Sequence, residues 1–144
     1  MNARNFFSEE EKTRIVNAIK DAEAQTTGEI RVHIAERCPD GVLNDAAVCF
    51  EKLKMHKTRL RNGVLFFLAI KDRKFAIIGD VGINSRIDKS FWEEIKAEIG
   101  LKFHEKLFTE GLVEGISSAG VALKRFFPLE GNPKNELPDE ISFG

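Results

Sequence analysis

Four oxygen-bearing side chains have the type and spacing to do chemistry. Asp80, Asn84 and Asp88 sit in the stretch IIGDVGINSRID, residues 77–88, where an apolar run ends in Gly79 and Gly82 follows. Glu29 opens an earlier stretch, GEIRVHIA. Carboxylate and amide oxygens are hard donors, and calcium takes about six to eight of them in irregular loops. The two glycines let the backbone turn and leave carbonyls free to point inward. Asp80, Glu29, Asn84 and Asp88 therefore form a candidate site for a divalent cation, Ca2+ or Mg2+. The spacing is not that of an EF-hand. Nor is it a Walker loop or GxGxxG, because no Lys-Ser/Thr follows the glycines. The same residues also read as a glycine-assisted corner. There Asp80 bonds nearby backbone amides and Asp88 serves the next helix start.

Other chemistry has less support. His33, His56 and His104 are far apart, and none belongs to HxxxH or HExxH. There is no GxSxG. Cys38 and Cys49 fit no CxxC or disulfide-framework spacing and read as free thiols, Cys49 on the apolar side of a helix. Arg31, Arg61 and Arg73 have the chemistry to grip a phosphate. The carboxylates that would hold a metal would also serve acid–base work. No residue stands out as catalytic.

Composition narrows the class. Lys and Arg number 22 against 23 Asp and Glu, for a net charge of -1. No global field attracts nucleic acid or an anionic membrane. The longest apolar run, Val64–Ile70, is far too short to span a bilayer. The opening MNARNFFSEEEK has no apolar core of signal-peptide length, so a cytoplasmic location is expected. A chain of 144 residues fits one domain, expected over residues 1–128. Pro128, Pro133 and Pro138 then mark residues 129–144 as an extended C-terminal tail.

The elements that must position these residues follow from periodicity. Ser8 with Glu11 is a capping box. It opens a helix with Ile15, Ala18, Ile19 and Ala22 at helical spacing. GEIRVHIA alternates, with Ile30, Val32 and Ile34 facing one way and Glu29, Arg31 and His33 the other. That is a strand with one polar face or a place near a sheet edge. Asn44 can cap a second helix with Ala47, Phe50 and Leu53 inward. The run in NGVLFFLAI reads as a strand covered on both faces, and FAII returns beside it as a hairpin. Ser90 with Glu93 predicts a second capping box. Thr109 predicts the start of a last helix carrying Leu112, Ile116, Ala119 and Leu123.

The order α-β-α-β-β-α-α, with a right-handed crossover between the first two strands, predicts an α/β fold. It is a three-layer α/β/α sandwich with a small mixed β-sheet covered by helices on both faces. If the first two strands are parallel and the third runs back, one rim gathers Gly28 and Glu29, Arg61 and Asn62, and Gly79 and Asp80. The stretch that follows Gly79 then lies near Glu29.

The four motifs GEIRVHIA, NGVLFFLAI, DRKFAIIGDVGIN and FTEGLVEGISSAGVALKRFF, in this order, resemble the TPM domain family, from about Phe7 to Pro128. That family includes thylakoid-lumen proteins linked to photosystem II repair and many bacterial proteins. The resemblance implies an α/β/α sandwich and a divalent-cation site of acidic loop residues. Its pattern falls on Gly28 and Glu29, on Gly79-Asp80-Val81-Gly82 and on Asp88. Asp80 departs from the neutral or aromatic residue that many members carry between the glycines. The expected function is a monomeric binding or accessory module in protein repair or assembly, with a protein partner and no nucleic acid. The alternative is a weak metal-assisted phosphatase, in which Arg31 or Arg61 neutralises phosphate. The chain has no DxDx(T/V) or CxxxxxR nucleophile motif.

Overall fold

The computed structural model describes residues 2–129 and 135–144. Helix α1 spans Glu9–Glu23 and begins at the expected capping box. Ser8 Oγ accepts from the Glu11 amide at 3.1 Å, and Glu11 Oε1 accepts from the Ser8 amide at 2.9 Å. Strand β1 is Glu29–Ala35, and helix α2 is Val42–Lys52. A 3-10 turn at Met55–Lys57 leads into β2, Gly63–Ala69, and β3, Lys74–Gly79. A single turn of helix, α3 (Val81–Asn84), precedes α4 (Lys89–His104) and α5 (Phe108–Phe126). Strand β4 is Ser142–Phe143.

The sheet order is β3-β2-β1-β4. Strands β1 and β2 are parallel, from Glu29 opposite Gly63 to Ala35 opposite Ala69. Strand β3 returns antiparallel to β2, with Gly79 opposite Val64. The α/β architecture and the strand directions are those the sequence predicts. Register sorts the two faces. Ile30, Val32, Ile34, Val64, Phe66 and Leu68 face α1, α4 and α5 in the larger apolar core. Leu65, Phe67, Ala69 and Ala76 face α2 with Ala46, Cys49 and Phe50 in the smaller one. Of the four longer helices, three thus cover one face and one the other.

Several local expectations change. The polar side of β1 is not solvated: Glu29 is 2% exposed, and Arg31 and His33 are each 9% exposed. The cause is the tail. Residues 135–144 return to β1, and β4 pairs in parallel with His33 and Ile34. The fourth strand therefore lies in the segment that composition marks as an extended end. Asp88, not Ser90, caps α4. Thr109 sits inside α5, where its hydroxyl donates to Glu11 Oε2 at 2.7 Å. Helix α2 starts after Gly41, whose φ of +95° suits a residue without a side chain, and Asn44 lies within the helix. Among the described residues no helix is long and apolar enough to cross a membrane.

Candidate functional site

The rim predicted from topology exists. Glu29 lies opposite Gly63, and the Asp80 amide donates to the Gly63 carbonyl at 3.0 Å. Two strand spacings, about 10 Å of backbone, thus separate residues 29 and 80. Their side chains are committed to different tasks.

Asp80 holds a corner. Its carboxylate takes Arg61 in two parallel hydrogen bonds, Nε to Oδ2 and Nη2 to Oδ1, each 2.8 Å. Oδ1 also accepts from the Val81 amide at 2.7 Å and caps α3. Asp80 is 5% exposed and Arg61 is half-exposed, so the charge-assisted fork sits at the surface with both carboxylate oxygens engaged. The bonds to Asp80 hold the Arg61 guanidinium charged and push its pKa up. Arg61 itself adopts φ +52°. The Gly82 amide bonds the Arg61 carbonyl at 2.9 Å. A Cβ on Gly82 would collide with the Leu60 and Arg61 carbonyl oxygens, so this approach requires glycine. Asn84 donates through Nδ2 to the Gly79 carbonyl at 3.1 Å, and Asp88 Oδ1 accepts from the Ser90 amide at 3.3 Å. A glycine-assisted corner accounts for the polar contacts of these three residues.

Glu29 is different. Its Oε1 accepts from the Leu137 amide at 2.5 Å, while Oε2 is buried with no hydrogen-bond partner among the described residues. Burial, opposed by the Leu137 hydrogen bond, pushes its pKa up to about 7. Glu23, at the end of α1, accepts from the Ile30 amide at 2.8 Å and lies against the Asp139 carboxyl. Burial and that shared hydrogen bond push Glu23 up to about 9. A cavity of about 250 Å³ joins them, lined by Lys20, Glu23, Thr27, Gly28, Glu29 and Asp139 among others. Asn135, also at its wall, donates to Asp139 Oδ1 at 3.0 Å.

The structure thus brings Glu29 together with Glu23 and Asp139, and not with Asn84. Asn84 lines a separate cavity of about 360 Å³ with Lys89, Trp92 and Lys96. Glu23 follows Ile19 by four residues, so it takes a place on the apolar stripe of α1. A carboxylate on that stripe is the one local signal for it. Asp139 lies in the tail without a motif, and only the docking of that tail reveals it. Among the described residues no three acidic, histidine or cysteine side chains already converge as a ligand set. A cation here would draw on two or three carboxylates with backbone carbonyls and water, which suits calcium's tolerance of irregular spheres. The orphaned buried Oε2 of Glu29 fits such a role, because a buried anion needs a compensating charge or donor. The fully bonded carboxylate of Asp80 does not. Two of the three arginines suited to phosphate are engaged elsewhere. Arg61 is paired with Asp80, and buried Arg31 donates through Nη2 to the Glu140 carbonyl at 3.4 Å.

The profile of the TPM domain family matches residues 1–122. The BA42 protein of the psychrophilic bacterium Bizionia argentinensis, solved by NMR, is 44% identical, with 96% of each chain covered and a TM-score of 0.91. The N-terminal domain of a protein from P. gingivalis shares the fold alone at 14% identity and a TM-score of 0.70, over 88% of this chain and 83% of that one. The N-terminal domain of the cg2496 protein of Corynebacterium glutamicum does so at 16% identity and 0.64, over 83% and 75%. No curated protein sequence matches the chain.

Proposed function

The chain belongs to the TPM domain family, and from that premise we propose that it is a divalent-cation-binding module. It takes Ca2+ or Mg2+ at the start of β1 through Glu29, Glu23 and Asp139, and serves as an accessory module in protein repair or assembly. One observation carries the reading: a glutamate 2% exposed, with one oxygen unpartnered among the described residues, opens on a cavity shared with two further carboxyls. Desolvation without compensation is costly for an anion, and a divalent ion supplies the compensation. Asp80, Asn84 and Asp88 stay outside this site, because they build the corner after β3.

A ligand that binds only the folded form stabilises it by RT ln(1+[L]/Kd), about 2.7 kcal/mol at a hundredfold excess over Kd. Melting of the full chain in EDTA, then with millimolar CaCl2 or MgCl2, measures this. The melting temperature should rise with cation, and Glu29→Gln should abolish the rise. An identical curve in EDTA and in either cation overturns the assignment.

A further inference from the structure

The tail that completes this rim is acidic where the rim is acidic. Glu136 and Asp139 arrive near Glu29, Asp139 lies against Glu23, and Lys20 is the basic residue at the cavity wall among those described. Other contacts also seat the tail: Arg31 Nη2 donates to the Glu140 carbonyl and the Ser142 hydroxyl to the Val32 carbonyl, each at 3.4 Å, and Arg4 and Lys12 lie over the Phe143 ring. The Leu137 amide bonds Glu29, and Glu136 Oε2 accepts from the Arg59 amide at 3.1 Å. His33 Nδ1 and Ser142 Oγ lie 2.8 Å apart, and the Gly144 amide donates to the Ile34 carbonyl at 3.1 Å. Leu137 is the buried apolar anchor of residues 135–144. A ladder of two residues is marginal by itself. Glu23 and Asp139 meet there through a shared hydrogen bond, and a cation would bridge the carboxylates of the tail and of the body more strongly.

Resting on the cation site proposed above, we infer that the bound ion is the latch of the C-terminal segment. Asp139, carried by residues 135–144, completes the ligand set begun by Glu29 and Glu23 on the body of the domain. Cation binding and the seating of β4 on β1 are then one coupled equilibrium. The unpartnered Glu29 oxygen, buried at the cavity, is the independent mark of a missing ligand there. Coupling is reciprocal: whatever factor the cation adds to docking, docking adds to cation affinity. Release of the segment turns β1 into an edge strand at His33 and Ile34, with backbone groups open to another strand. The device ties the availability of that edge to the divalent-ion level.

The test uses the full chain, CaCl2 as the probe and EDTA as the reference. Calorimetry gives affinity, and amide hydrogen exchange reads Gly144, whose N–H is held by Ile34. Calcium should slow Gly144 exchange about tenfold or more, within the usual range of coupling. Asp139→Asn should bind calcium about tenfold more weakly and lose the calcium-dependent protection. A merely structural Asp139 would lower Gly144 protection alike in EDTA and in calcium, with the calcium-dependent gain retained. Calcium binding with unchanged Gly144 exchange, or with equal affinity in Asp139→Asn, overturns the latch and leaves the cation site standing. No calcium binding in the wild type overturns both.

Discussion

Replacing Glu29 by Gln should stabilise the cation-free protein at alkaline pH. The folded protein holds the Glu29 proton more tightly than the unfolded chain does, with a pKa near 7 against an ordinary 4.5. For an acid with a raised folded value, the contribution to stability is fully present below the unfolded pKa. It is lost as pH rises through the folded one. Each unit of difference is worth about 1.4 kcal/mol, so the ionised group costs the apo protein about 3 kcal/mol by pH 8. A glutamine side chain cannot ionise and keeps an oxygen for the Leu137 amide. Its NH2 group would occupy the place of Oε2, with a desolvation cost similar to that of the protonated acid. At pH 5 the variant and the wild type should therefore match within about 1 kcal/mol. At pH 8 in EDTA the variant should be more stable by up to about 3 kcal/mol, which at about 3 °C per kcal/mol is a large rise in melting temperature. Removing this charge also relieves Glu23, whose raised pKa includes repulsion from Glu29, so the second effect has the same sign. Urea denaturation at the two pH values, analysed for midpoint and slope, decides the matter. Equal destabilisation at pH 5 and pH 8 would refute the reasoning, because Glu29 would then be an ordinary buried acceptor.

Three more outcomes rest on the same geometry. Asp80→Ala removes the cap of α3 and should cost at least about 1 kcal/mol, while its melting curve still responds to calcium. Gly82→Ala drives a Cβ into the Leu60 carbonyl oxygen, and thermal unfolding should show a loss of about 1–3 kcal/mol. Burial, with Arg31 nearby, lowers the His33 pKa from 6.5 to about 4. A base with a depressed folded value loses stability as pH falls from 6.5 towards 4, opposing the gain from Glu29 over the same window. Glu23, raised to about 9, adds stability over the same window as Glu29, so the wild type should gain in urea titrations as pH falls from 7 to 5 and His33→Asn should gain more steeply.

Much of the fold is written in short-range pattern. The Ser8–Glu11 box, the seven-residue run of β2 and the polar break before β3 need no distant partner to be recognised. From them the parallel and antiparallel pairings follow, and with them the rim that gathers residues 29 and 80. Alternation in β1 misleads about exposure, because a polar face is solvated only if nothing returns to cover it. Strand β4 supplies that cover with two residues and no β pattern of its own, so its docking is a long-range event. The loop at Gly79–Asp88 offers oxygen ligands by composition alone. What those oxygens do depends on Arg61, nineteen positions earlier, which claims both oxygens of Asp80. The meeting of Glu23 and Asp139 at the Glu29 cavity is illegible for the same reason: three separate segments converge there.

The proposed ion belongs beside Glu29 rather than in the loop after β3. Residue-resolved amide shifts of the full chain during a CaCl2 titration test this most directly. Saturable shifts are predicted at residues 28–30 and 137–139, with residues 80–88 unmoved. Shifts confined to residues 80–88, or none at millimolar calcium, would contradict it.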